Sequence, residues 1–211
     1  MVFRSSLSLV AVAVLVALTG CSVRLATAPP KVSLLPASPA SSSQASDASR
    51  VSGGKSGLVV IHDPGHVTGT LTRACHSRDG GQLPDPKCTP GSIDPAVTQA
   101  DIHQTICRSG YTKTVRPPAS ETDRFKFDDA YPAYGTPRSE KTELDHLVSL
   151  ELGGSNDAAN LWPESPPTPN PKDKVENALH RAVCDGRVSL AAAQRAIAGD
   201  WMTAEATLGI G

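Results

Sequence analysis

The chain has 211 residues, of which 39% are hydrophobic and only 4% aromatic, and a formal net charge of −1. From residue 88 to the end, 12 Lys and Arg stand against 17 Asp and Glu and no basic run stands out, which argues against tight recognition of a duplex site, because phosphate neutralisation supplies most non-specific affinity for nucleic acid. Serine hydrolases built on a Gly-x-Ser-x-Gly turn and zinc proteases with a His-Glu-x-x-His helix are excluded, since neither element is present.

In chain order, Arg4 precedes an apolar run from Leu7 to Leu18 that is short and wrongly flanked for a membrane span, and Leu18-Thr19-Gly20-Cys21 follows. This segment resembles a bacterial lipoprotein signal. The resemblance implies that residues 1–20 are removed, that the Cys21 sulfur carries a diacylglycerol, and that the chain is exported and held at the membrane from outside the cytoplasm. Two acyl chains anchor stably, because each buried CH₂ contributes about 0.8 kcal/mol. An ordinary secretory signal with a coincidental cysteine is the alternative. Residues 21–56, rich in Ala, Ser and Pro, contain little that can bury and are expected to form a disordered tether with a reach of roughly 30–35 Å.

Residues 57–211 suffice for one compact domain. With Cys21 assigned to lipid, Cys75, Cys88, Cys107 and Cys184 are an even set in an exported chain, and two disulfides are expected. Three connectivities are possible; the short Gly/Pro-rich loop between them favours Cys75 with Cys88, leaving Cys107 with Cys184. A zinc site is the competing reading, but no Cys-x-x-Cys knuckle is present.

Leu58-Val59-Val60-Ile61 reads as a short strand, and His62 and His66 as loop histidines, because Pro64-Gly65 forbids the helix on which a four-residue spacing would make a metal pair. Asp94 and Pro95 predict a helix to about Cys107 that carries His103 on its surface. A strand is expected over Tyr111–Val115, and a loop-rich stretch carries Phe125, Phe127, Tyr131 and Tyr134. Glu143 to Leu152 reads as the first arm of a β-hairpin, Gly153-Gly154 as its turn, and Asn160-Leu161-Trp162 as the start of the return arm. Adjacent Asp145 and His146 on a strand point to opposite faces unless a bulge re-aims one. Asn170 caps and Pro171 opens a helix to about Cys184, with Val175, Ala178, Leu179 and Ala182 on one side and Asp173, Asn177 and His180 on the other. Ser189 caps a last helix that turns Leu190, Ala193, Ile197 and Trp201 inward.

Asp-His on one strand, Asn on the next and a polar helix afterwards resemble the HNH nuclease motif, the ββα-metal fold, as do the words ELDHLVSLELGGSNDAANLWPE and KDKVENALHRAVCDG. The resemblance covers about the last third of the protein, with a motif core over 138–184, and implies a small α+β domain with flanking helices. It implies a metal-dependent endonuclease in which His146 is the general base, Asn160 orients it, and Asp145 is a metal ligand. Asn177 is the first choice for a second ligand from the helix, with His180 next and Glu176 or Asp173 behind. One divalent ion is implied, Mg²⁺ or Mn²⁺ first, Zn²⁺ or Ni²⁺ as alternatives for a site that includes a histidine. The partners implied are DNA, engaged weakly and without sequence preference, RNA as a further substrate, and the membrane through the lipid. Arg116, Arg138, Lys141, Lys172 and Lys174 are candidates for a phosphate-facing patch. The acidic balance motivates the contrasting reading, a non-catalytic surface lipoprotein that uses the same scaffold to bind a partner.

Overall fold

The computed structural model describes residues 57–211 apart from Pro64 and Thr168. The expected signal, Cys21 and the tether lie outside the described residues. Strand β1 (Val59–Val60) runs parallel to β2 (Ser92–Ile93), with Val59 opposite Ser92. Helices α1 (Tyr111–Val115) and α2 (Ala119–Phe125), a π-helical turn over Lys126–Ala130 and helix α3 (Tyr131–Tyr134) follow. Strands β3 (Glu143–His146) and β4 (Leu161–Glu164) then pair antiparallel, placing Glu143 opposite Glu164 and Asp145 opposite Trp162. Helices α4 (Pro171–Cys184), α5 (Leu190–Asp200) and α6 (Ala204–Leu208) complete an α+β domain.

The main core forms where α4 and α5 bury their apolar sides, Val175, Leu179, Ala182 and Val183 with Leu190, Ala193 and Ile197, against Val148 and Leu152. Burying each larger side chain contributes about 1.5–3 kcal/mol. The start of α4 is fixed locally by a capping box, in which Asn170 accepts from the Lys172 and Asp173 amides and Asp173 accepts from the Asn170 amide. Ser189 caps α5 through the Ala192 amide. Both helices begin at the residues the sequence predicts.

Disulfides join Cys75 to Cys88 and Cys107 to Cys184, with Cα–Cα distances of 5.9 and 5.7 Å. The second closes a separation of 77 residues, for which chain entropy gives roughly 4–5 kcal/mol of stabilisation. Two such bonds suit an oxidising, extracellular environment. Among the described residues, no helix is long and apolar enough to cross a membrane.

Four local expectations are corrected. The segment after Asp94 forms a 3-10 turn at Gln99–Asp101 and further turns instead of a helix to Cys107. Val97 and Ile102 are both buried, and five residues apart they do not share a helical face. Tyr111–Val115 is helical, and its end at Arg116 is extended ahead of Pro117. The aromatic stretch is helical as well: Phe125 and Tyr131 are buried, and Phe127 meets Tyr131 edge-on at 5.3 Å. The first hairpin arm ends at His146. Leu147, Val148, Leu150 and Leu152 then fold inward through a 3-10 turn at Leu150–Leu152 and are buried, so their apolar character serves the core rather than a strand.

Candidate active site on the hairpin

The long connection between β3 and β4 is organised by Asn160, which is fully buried. Its Nδ2 donates to the Val148 and Ser155 carbonyls, each at 2.9 Å, and its Oδ1 accepts from the Val148 amide at 2.9 Å and the Ser92 amide at 3.3 Å. Gly154 lies in the same fold of chain, where a Cβ would run into the Val148 carbonyl, so the Gly-Gly pair is required by close approach. Asn160→Ala strands four buried backbone groups and is expected to lower unfolding free energy by about 3–5 kcal/mol in denaturant titration. An unchanged midpoint contradicts this role.

Alternation along β3 divides the site into two faces. Glu143 and Asp145, two residues apart, share one face with Glu164, the cross-strand partner of Glu143. One carboxylate oxygen from each of the three lies within 4.8 Å of the others. Glu164 is only 2% exposed and hydrogen-bonds to the Asp145 side chain.

The first turn of α4 closes over this face. Asn170 Nδ2 donates to Glu143 Oε1, and Lys172, 1% exposed, sends Nζ to Asp145 Oδ2 at 2.6 Å, Glu176 Oε1 at 2.5 Å and the His146 carbonyl at 2.8 Å. Burial alone would lower the Lys172 pKa, but Asp145, Glu176 and Glu164 hold it well above its ordinary value. Burial likewise opposes ionisation of Asp145, yet the Lys172 ammonium keeps its pKa below normal. Glu164, buried and beside the Asp145 charge, is pushed up to about 10, and burial raises Glu176 to about 7 against the pull of Lys172. At neutral pH Glu164 is therefore a carboxylic acid hydrogen-bonded to the Asp145 side chain, and Lys172 pairs with Asp145 and Glu176.

His146 turns to the other side. Its Nε2 lies 2.8 Å from Asn156 Oδ1, and Asn156 is itself fixed by Asp63: the Asn156 amide donates to Asp63 Oδ2 at 2.6 Å, and Nδ2 donates to Asp63 Oδ1 and, at 2.9 Å, to the Val115 carbonyl. Both partners of Nδ2 are acceptors, so the amide orientation is determined and Oδ1 must receive the proton on His146 Nε2. Nδ1 therefore keeps its lone pair. Burial lowers the His146 pKa to about 4, partly offset by Asp145, so the ring is neutral at neutral pH.

A groove of about 250 Å³ brings Arg116, Glu143, Asp145, His146 and Glu176 to one opening. An adjoining groove of about 450 Å³ adds Lys126 beside Arg116 and His146. Asp145 and His146 thus turn to different partners yet line one groove.

The structure does not bring the two helix candidates to this site. Asn177 is exposed and donates to the Asp173 carbonyl at 2.6 Å. His180 meets the Ile106 carbonyl at 3.0 Å and lies near Cys107 and Cys184. The α4 face over β3 carries Lys172 and Glu176, one turn apart, and Asn177 is a further 100° around the helix axis. The grouping of His180 with Cys107 and Cys184 has the spacing of a metal site, but those two sulfurs are bonded to one another and offer no thiolate. Lys172 is also withdrawn from the expected phosphate-facing patch by its burial, and Arg138 is paired with Asp128 at 3.1 Å. Asn160 braces the loop, whereas the side chain in contact with His146 is Asn156. Comparison with family models, curated proteins and solved structures returned no match.

Proposed function

We propose that this chain is a metal-dependent phosphodiester hydrolase of the HNH type, exported, lipid-anchored through Cys21, and acting on DNA with little sequence preference. The observation that carries this reading is the buried, neutral His146, whose Nε2 proton is committed to Asn156 while Nδ1 stays free to accept a proton. In the reaction His146 Nδ1 takes the proton from the attacking water, a task suited to an imidazole already neutral at the working pH. Asn156 and Asp63 keep the ring in the competent tautomer throughout. Arg116 lines the groove where a phosphate would enter and offsets part of its charge. The Glu143, Asp145 and Glu164 oxygens fit a hard cation, which would neutralise the phosphate and the departing oxygen.

The oxidised protein is expected to nick supercoiled plasmid with Mg²⁺ or Mn²⁺ and to stop in EDTA. No cleavage with any divalent ion by a folded protein contradicts the proposal.

One observation favours a second reading, a non-catalytic scaffold that binds a surface partner. Lys172 already supplies Asp145 and Glu176 with a positive partner without any ion. A folded chain that takes up no divalent cation in calorimetry points to that reading.

A further inference from the structure

His146 lies where two grooves of unlike charge meet. The groove of about 250 Å³ is walled by carboxylates, Glu143, Asp145, Glu151, Asp173 and Glu176, with Arg116 as its cation. The groove of about 450 Å³ carries Lys126 beside the same Arg116, with Asp123 and Glu143 as its acidic members. Arg116 is near enough to His146 for its charge to disfavour protonation of the ring.

Lys126 and Arg116 differ from the paired cations of the domain. Arg138 is held by Asp128, Arg187 by Asp185, and Lys172 by Asp145 and Glu176. Among the described residues, neither Lys126 nor Arg116 has a carboxylate at ion-pair distance. Lys126 Nζ instead donates to the Thr142 carbonyl at 2.5 Å and lies 5.5 Å from the Tyr131 ring centroid and 5.7 Å from that of Phe127. A carbonyl and two rings fix the position of the ammonium without neutralising it, and two of its three protons are left for another acceptor. Pro117, Ala119 and Leu144 line the same groove and offer apolar support to a sugar and base. Its volume falls in the range of small-ligand sites, roughly 300–1,000 Å³, and suits one nucleotide.

We propose that the larger groove is a subsite for one unpaired nucleotide flanking the scissile phosphate, with Lys126 holding the neighbouring phosphate, so that the substrate is single-stranded DNA. The proposal rests on the nuclease reading above and names the strand form which that reading leaves open. A duplex carries one charge per about 1.7 Å of its axis. Seated over His146, its continuing phosphates would meet the acidic wall, where Lys172 balances Asp145 and Glu176 but Glu151 and Asp173 have no Lys or Arg partner among the described residues. A single strand can bring two phosphates to Arg116 and Lys126 and then turn away from that wall. Supercoiled plasmid remains a substrate, because negative supercoiling favours unpaired stretches.

The test is fluorescence anisotropy of a short labelled oligothymidylate, against a blunt duplex of equal length, with the full, oxidised chain in EDTA, so that neither a cation nor cleavage contributes. Near-ultraviolet circular dichroism confirms the fold of each variant. The single strand should bind at least about tenfold more tightly than the duplex, since like charges brought together cost affinity. The logarithm of its binding constant should fall against log salt with a slope of about −1.4, from two phosphates at about 0.7 each. Lys126→Gln and Arg116→Gln should each halve that slope, whereas Lys126→Arg and Arg138→Gln should keep it. If Lys126→Gln does not fold, Arg116→Gln and the duplex comparison decide. Duplex binding as tight as single-strand binding, a wild-type slope in either Gln variant of the pair, or no oligothymidylate bound by the folded wild type overturns the proposal. An oligoglutamate that competes as well as the oligothymidylate assigns the groove to an acidic peptide and overturns it too. Cleavage in Mn²⁺ by the same samples separates the subsite from the nuclease. Strand-selective binding that depends on Lys126, with no cleavage by wild type, upholds the subsite and refutes the nuclease. Metal-dependent cleavage of linear duplex as fast as of single strand, with binding indifferent to Lys126→Gln, refutes the subsite and leaves the nuclease standing.

Discussion

Lys172→Met is expected to cost about 3–5 kcal/mol of unfolding free energy at neutral pH, because it removes one partner of a buried charge cluster and leaves Asp145 and Glu176 facing Glu164 without compensation. The methionine fills a similar volume, so lost packing contributes little. The pH dependence identifies the cause. Without the ammonium, the carboxylates have folded-state pKa values above their unfolded ones, and such groups contribute stability below the unfolded values that is lost as pH rises through the folded ones. Lys172→Met should therefore approach wild-type stability near pH 4 and fall furthest behind above pH 7. Urea titrations at several pH values provide the measurement, and a deficit independent of pH contradicts a charge-based role.

Asn156→Ala is expected to lower cleavage by about 10²-fold while His146 remains in place. General-base catalysis contributes roughly 10²–10⁴-fold, and a histidine free to exchange tautomers and swing on its χ angles forfeits much of that. The substitution also removes the side-chain donor to Asp63 Oδ1 and to the Val115 carbonyl, while the backbone amide at 156 still donates to Asp63 Oδ2, so some stability is lost with it. Nitrogen-15 shifts of the His146 ring separate the two effects. Wild type should show protonated Nε2 and bare Nδ1, and Asn156→Ala a mixture. A variant with the wild-type ring signature and the wild-type rate eliminates Asn156 as a positioning residue.

The contrast between Asn160 and Asn156 shows where sequence is informative. Asn160 was legible because it stands at a fixed place in a local pattern, between a Gly-Gly pair and the start of β4. Asn156-Asp157 in sequence is most simply turn chemistry; the role of Asn156 depends on Asp63, 93 positions away, and a polar contact of that separation leaves no periodic trace. Caps are local chemistry, so Asn170-Pro171 and Ser189 located α4 and α5. The segments over 94–107 and 111–115 carry no such local stop signal: Val97 and Ile102 are both buried in a run of turns, and Tyr111–Val115 is a short helix. Lys172, a candidate for the phosphate-facing patch in sequence, is instead buried against the acidic face of β3, a placement that lysine seldom takes and that no local pattern signals. A signal for that face was present in the alternation of Glu143 with Asp145 and the register that sets Glu164 opposite, once the hairpin is drawn with its long connection.

The proposed reaction depends on His146 as the base. Supercoiled-plasmid nicking in Mn²⁺ by His146→Ala, with melting temperature recorded on the same preparation, tests it most directly. A loss of at least about 10²-fold in rate, by a variant that still folds, is the predicted result. Nicking at the wild-type rate by the folded variant contradicts it.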